Sequence, residues 1–123
     1  MTVHEFKTRI ISAAPVGAVF SNPGGGTSEV VSIDGEKLVY LRRKSRINIR
    51  FSDLFSAYQK FKGMKVTTND LKEFSPDVFD TIARPAGHDC NCTIMFLLLN
   101  QAGLAGDIEG KGVRGNPFAC RFF

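Results

Sequence analysis

The stretch HDCNC brings His88, Cys90 and Cys92 together, with Cys120 far downstream, and these residue types support two kinds of chemistry. An imidazole and three thiolates make a complete tetrahedral zinc set. A cysteine near a helix start, beside a histidine, is also the raw material of a nucleophilic pair, because the helix N-terminus lowers the thiol pKa. The spacing opposes the first reading: on a helix begun by residue 90, Cys90 and Cys92 point about 200° apart and cannot share an ion. The second lacks a third group to orient the histidine. Cys92 is instead expected as a small core residue. Pro76-Asp77 with Glu109-x-Lys111 has the composition of a split magnesium site, but such a site needs its acids on adjacent strands. Here Pro76 reads as a helix start, and Glu109 sits among glycines. NPGGGTS lacks the G-K-[ST] ending of a phosphate-binding loop. No metal, no cofactor and no catalytic activity is expected.

Charge is the stronger chemical signal. The chain of 123 residues carries 16 Lys and Arg against 12 Asp and Glu. Nine of those cations lie between Lys37 and Lys65, a stretch whose one acid is Asp53. Clustering of this kind suits a polyanionic partner. A second cationic point, Lys111 and Arg114, sits in the glycine-rich tongue EGKGVRGNP. The opening residues lack the apolar run of a secretion signal, and TIMFLLL is too short for a membrane span. With three cysteines, an odd number, the expected setting is soluble, reducing and cytoplasmic, away from membranes.

Elements must hold these charges. Residues 1–20 contain short apolar pieces that read as one or two strands, and SNPGGG reads as a turn. Asp34-Gly35 separates two β-rich runs and is the dipeptide that best supplies the positive φ of a tight hairpin. In RINIRF, Arg46, Asn48 and Arg50 alternate with Ile47, Ile49 and Phe51, so one face is apolar and the other basic. Residues 28–51 are therefore expected to form a three-stranded meander.

Helices follow. Ser52 is the expected N-cap of a helix over 52–62, with Leu54, Phe55, Tyr58 and Phe61 as its stripe and Gly63 as its stop. Thr67 and Asp70 have capping-box spacing ahead of a helix over 67–74. Ser75-Pro76 starts another turn, and the loop ARPAGHD leads into a last helix over 89–102, ended by Gly103. Ile108 and FACRFF can pair as legs of a hairpin with the tongue as its tip.

Three helices followed by a β-hairpin with a basic tip resemble the winged helix-turn-helix family over residues 52–123. The expected fold is α+β: a small antiparallel β-meander annex over 1–51, read from its alternation, then, as the resemblance implies, a three-helix domain over 52–123 with a C-terminal β-wing. The resemblance also implies double-stranded DNA as partner, as in transcription regulation. Carried over by position, Lys111 and Arg114 are wing contacts, while Lys65, Thr67, Thr68 and Asn69 meet phosphates around the second helix. The last helix and the loop before it, with Arg84, His88, Asn91 and Thr93, approach the groove. Arg42, Arg43, Lys44, Arg46 and Arg50 add a basic sheet face. The last helix is expected to expose apolar residues and carries no Lys or Arg on its groove side, which favours a second reading. In that reading the scaffold binds another protein or a second copy of itself, as an adaptor or a mobile-element-derived inhibitor would.

Overall fold

The computed structural model describes residues 1–83 and 85–123. A threonine opens the fold. The Thr2 hydroxyl accepts from the Glu5 backbone N–H at 3.1 Å, and the Glu5 carboxylate accepts from the Thr2 N–H at 3.3 Å. This capping box starts helix α1 (Val3–Ala13), whose buried residues Phe6 and Ile10 lie four apart on one face. The strands expected over 1–20 are thus corrected to a helix and one short strand, β1 (Val19–Ser21).

The meander contains β2 (Thr27–Ile33), β3 (Lys37–Arg42) and β4 (Ser45–Arg50), and β1 joins it to give an antiparallel sheet in the order β1-β2-β3-β4. The β2–β3 turn lies where Asp34-Gly35 placed it, but its chemistry differs. Neither residue takes a positive φ. Instead Asp34 Oδ1 accepts from the backbone N–H groups of Glu36 and Lys37, at 2.8 and 2.9 Å, and so holds the turn by its side chain. The positive φ occurs one turn later, at Arg43 (56°), in the two-residue link between β3 and β4.

Period two holds along β4. Ile47 and Ile49 are buried and Arg46, Asn48 and Arg50 are exposed. Phe51, next in the alternation, is also buried and begins helix α2 (Phe51–Phe61) with no intervening loop. The cap expected at Ser52 is therefore displaced: Arg50 occupies that position and makes no side-chain capping bond. Gly63 ends this region with φ 84°.

The short strand β5 (Lys65–Thr67) leads directly into α3 (Thr68–Phe74), and the Thr67–Asp70 capping box is formed in both directions. Helix α4 (Pro76–Phe79) and a 3-10 turn over Thr81–Ala83 precede α5 (Cys90–Gln101). After Gly103, at φ 74°, the chain runs out and back as a hairpin, with bridges Glu109–Ala119 and Val113–Asn116. Its returning strand β6 (Ala119–Arg121) pairs antiparallel with β5, an association that sequence patterning did not anticipate.

The molecule is thus α+β, with five α-helices, a four-stranded antiparallel sheet and a two-stranded ladder among the described residues. One hydrophobic cluster draws on both segments, from Phe6, Val30 and Tyr40 through Leu54 and Phe96 to Phe122. No helix of the described residues is long and apolar enough to cross a membrane.

Candidate functional site

Five separate pieces of chain close around a cleft of about 480 Å³: the β1–β2 loop, the end of β3, the starts of α3 and α5, and the hairpin tip. The parity of β3 decides what its end contributes. Leu38 and Tyr40 face the core, so Arg42 shares their side of the sheet, beside its partner Ser28, and reaches the cleft where the core runs out. Helix α3 supplies Thr68, Asn69 and Lys72; the start of α5 supplies Asp89, Cys90 and Thr93; the hairpin supplies Arg114 and Phe118.

The hairpin tip has its shape because of two glycines. Gly110 (φ 89°) and Gly112 (φ 70°) both occupy the left-handed region. A Cβ at Gly110 would overlap the Pro117 carbonyl, and one at Gly112 would enter the Phe118 ring. Only hydrogen fits there, which lets the Phe118 ring lie against the backbone and wall the cleft. Gly24, across the cleft, approaches the same ring, at 3.7 Å from where its Cβ would stand.

Electrostatically the cleft is cationic with one fixed acid. Asp89 forms an ion pair with Lys72 at 3.3 Å, and its other oxygen accepts from the Thr81 N–H at 2.7 Å. Burial acts to raise the Asp89 carboxyl, but the Thr81 backbone and hydroxyl and the Lys72 ammonium outweigh it and hold the group below the usual carboxylate value. Among the described residues, no carboxylate forms a salt bridge with Arg42 or Arg114.

Asn22, which lines the cleft, carries one buried polar atom without a partner. Asn22 is 8 % exposed; its Oδ1 accepts from the Ser28 hydroxyl at 2.8 Å, while its buried Nδ2 has no hydrogen-bond partner among the described residues. A buried donor left unsatisfied costs free energy, on the order of 1–3 kcal/mol.

Of the residues singled out in the sequence, Arg42, Thr68, Asn69, Cys90, Thr93 and Arg114 meet in this cleft. Lys111 is exposed on the same hairpin tip, outside the cleft lining. Arg43 and Lys44 are exposed at the β3–β4 turn, next to Arg42. Arg46 belongs to the other face of the sheet and lines, with the half-buried His88, a separate groove of about 190 Å³. Lys65 is paired with Glu109 at 3.5 Å. The Thr67 hydroxyl is committed to the α3 cap. Arg84 lies outside the described residues.

Asn91 requires correction as a base-reading residue. It is 1 % exposed, accepts from the Tyr40 hydroxyl at 2.7 Å and donates to the Val78 carbonyl at 2.8 Å. Its helix is buried on several sides at once, through Cys92, Ile94, Met95, Phe96, Leu98 and Leu99, because a helix apolar all round belongs inside. The exposed apolar face expected on it does not exist, so α5 presents its first turn rather than a side. Lys72, Asn22 and Phe118 were missed, and Arg42 was placed on the same basic face as Arg46. The β3 alternation that put Tyr40 inward separates Arg42 from that face; Lys72 could have been found one helical turn after Thr68.

Cysteine chemistry divides by burial. Cys92 and Cys120 are buried, which pushes each thiol up to about 12. Cys92 also donates to the Phe79 carbonyl at 3.5 Å. Cys90 is half-buried on the cleft wall. Among the described residues, no three His, Cys, Asp or Glu side chains gather closely enough to hold a metal ion.

Comparison adds no relative. No protein-family model, curated protein or solved structure matches the chain. The functional reading therefore rests on the cleft, the hairpin and the charges around them.

Proposed function

We propose that this protein is a nucleic-acid-binding module of winged-helix type that grips duplex DNA through its phosphates. The observation that carries this reading is the convergence of Arg42, Lys72 and Arg114 on one cleft, with Thr68 and Asn69 between them and Arg43, Lys44 and Lys111 on its exposed margins. The element order supports the winged-helix part. Helix, short strand, helix, insertion, helix and hairpin follow one another, and β5 pairs with the hairpin's return strand. Arginine and lysine on turns and on a glycine-rich tip meet phosphates without a rigid fit and make affinity steeply salt-dependent. In this reading α5 buttresses the surface from within, and contact belongs to the hairpin, the β3–β4 turn and the start of α3.

The test is fluorescence anisotropy with random-sequence duplex DNA at rising salt. Binding at about 50 mM salt is expected, with log K falling against log salt by roughly 0.9 for each phosphate neutralised. Absence of binding at that salt removes the reading. A second reading, protein docking, finds support on the outer sheet face, where exposed Val19 and half-buried Val39 and Leu41 share one side. Light scattering and pull-down with the purified chain distinguish it.

A further inference from the structure

We infer that the cleft is a binding site for a single nucleotide, taken either free or as an unpaired nucleotide of a strand. The inference rests on the phosphate-binding reading above and deepens it by naming what enters the cleft. A run of phosphates along a smooth duplex needs cations on a convex or grooved surface. It has no use for a recess of about 480 Å³, which falls within the roughly 300–1,000 Å³ of clefts that enclose a small ligand.

Three chemically different walls face one another there. Arg42 and Arg114 supply positive charge with no salt-bridge partner among the described residues. Phe118 supplies an aromatic ring, held in place because Gly112 and Gly24 leave room for it. Asn22 supplies the buried Nδ2 that lacks an acceptor, with its amide already oriented by the Ser28 hydroxyl. Charge for a phosphate, a ring for stacking a base and one donor for a base acceptor are the complement of a nucleotide. An inorganic anion would leave both the ring and the amide unused. A purely apolar ligand would leave the amide donor unpaired and bury charge against carbon.

Cys90 reports on occupancy. It is the half-buried thiol of the three and lies on the cleft wall, whereas Cys92 and Cys120 are buried. The rate at which a thiol reagent such as DTNB modifies Cys90 in the full chain is expected to fall when the cleft is filled, and Cys90→Ser removes the signal. The probes are the 2′-deoxynucleoside 5′-monophosphates of A, C, G and T, inorganic phosphate, a blunt DNA hairpin and the same hairpin with an unpaired 3′ tail.

Protection by monophosphates, with no stronger effect from the tailed hairpin, supports the site with a free nucleotide as its ligand. Protection by the tailed hairpin at lower concentration than any monophosphate, without protection by the blunt one, supports it with a strand as the source. Asn22→Asp keeps the shape and the Ser28 bond while replacing the donor, and it is expected to weaken protection; Phe118→Leu is expected to cost about tenfold, the loss of one stack. Should either variant fail to fold, by thermal unfolding, the wild-type probe series alone decides. The inference is overturned if inorganic phosphate protects as well as the nucleotides, or if neither nucleotides nor the tailed hairpin slow the reaction. In that event, binding of the blunt hairpin would leave the phosphate reading standing alone, and its absence would remove both.

Discussion

Helix α5 and the hairpin that follows it are adjacent in sequence and opposite in placement. The helix has seven buried residues, Asn91 among them, whereas from Glu109 to Asn116 the hairpin is exposed throughout. Both carry polar groups, but the buried one of α5, Asn91, is used inside, and Asn100 is tied down nearer the surface. Asn91 links Tyr40 to Val78, and Asn100 donates to Asp107 at 3.1 Å. Those of the hairpin, Lys111 and Arg114, have no salt-bridge partner among the described residues. A polar residue on an apolar helix is thus a poor guide to an exposed face, and a cation between glycines is a better one. In the proposed reading the helix gives rigidity and the hairpin gives contact.

Substitutions can break that division. The largest effect is expected at Asn91→Ala, which strips the Tyr40 hydroxyl of its acceptor and opens a void. Chemical denaturation should show a loss of about 3 kcal/mol, with a loss under about 0.5 kcal/mol refuting an internal role. Gly112→Ala is expected next, at about 2 kcal/mol, because the new methyl meets the Phe118 ring at a left-handed φ. The same variant should bind duplex DNA less well than wild type in the anisotropy assay.

Lys111→Ala with Arg114→Ala is the mirror experiment. Stability should stay within about 0.5 kcal/mol, while the salt slope of DNA binding flattens by about one unit for each phosphate that the variant no longer neutralises. An unchanged slope would mean that the hairpin does not touch the duplex.

The smallest effect is a pH dependence in the Asp89 clamp at the foot of α5. Its carboxyl is held below the usual value, so its contribution to stability is present above the unfolded value of about 4 and is lost as pH falls through the lower folded one. Wild type should therefore exceed Asp89→Asn in denaturation midpoint by a constant margin above about pH 4, a margin that closes in more acidic solution.

Local rules were legible wherever one residue type does one job. The Thr67–Asp70 cap, the stops at Gly63 and Gly103, the alternation along β4 and the hairpin after α5 follow from short-range sterics and hydrogen bonding. What the residues did not disclose depends on distant partners. The Thr2–Glu5 box was hidden because Ile10, Ile11, Val16 and Val19 have β-forming side chains, and tertiary packing of Phe6 and Ile10 favoured the helix. Pairing of Lys65–Thr67 with Ala119–Arg121 joins residues more than fifty positions apart. The site was half legible: Arg42, Thr68, Asn69, Thr93 and Arg114 were named as contacts and line the cleft, whereas Asn22 and Phe118 join it only because the β1–β2 loop and the hairpin face each other. The basic run was read as one surface, but the pleat divides it, turning Arg42 toward the cleft and Arg46 and Arg50 away from it.

The ladder between β5 and β6 has a consequence for biosynthesis. Phe122 is wholly buried against Tyr58 and Phe96, and Cys120 sits opposite Val66. A ribosome that has delivered only residues 1–118 has therefore produced a polypeptide with an open seam through its interior. The interior is complete only once residues 119–122 pair with β5, so a polypeptide cut before residue 119 is expected to leave Tyr58, Val66 and Phe96 uncovered.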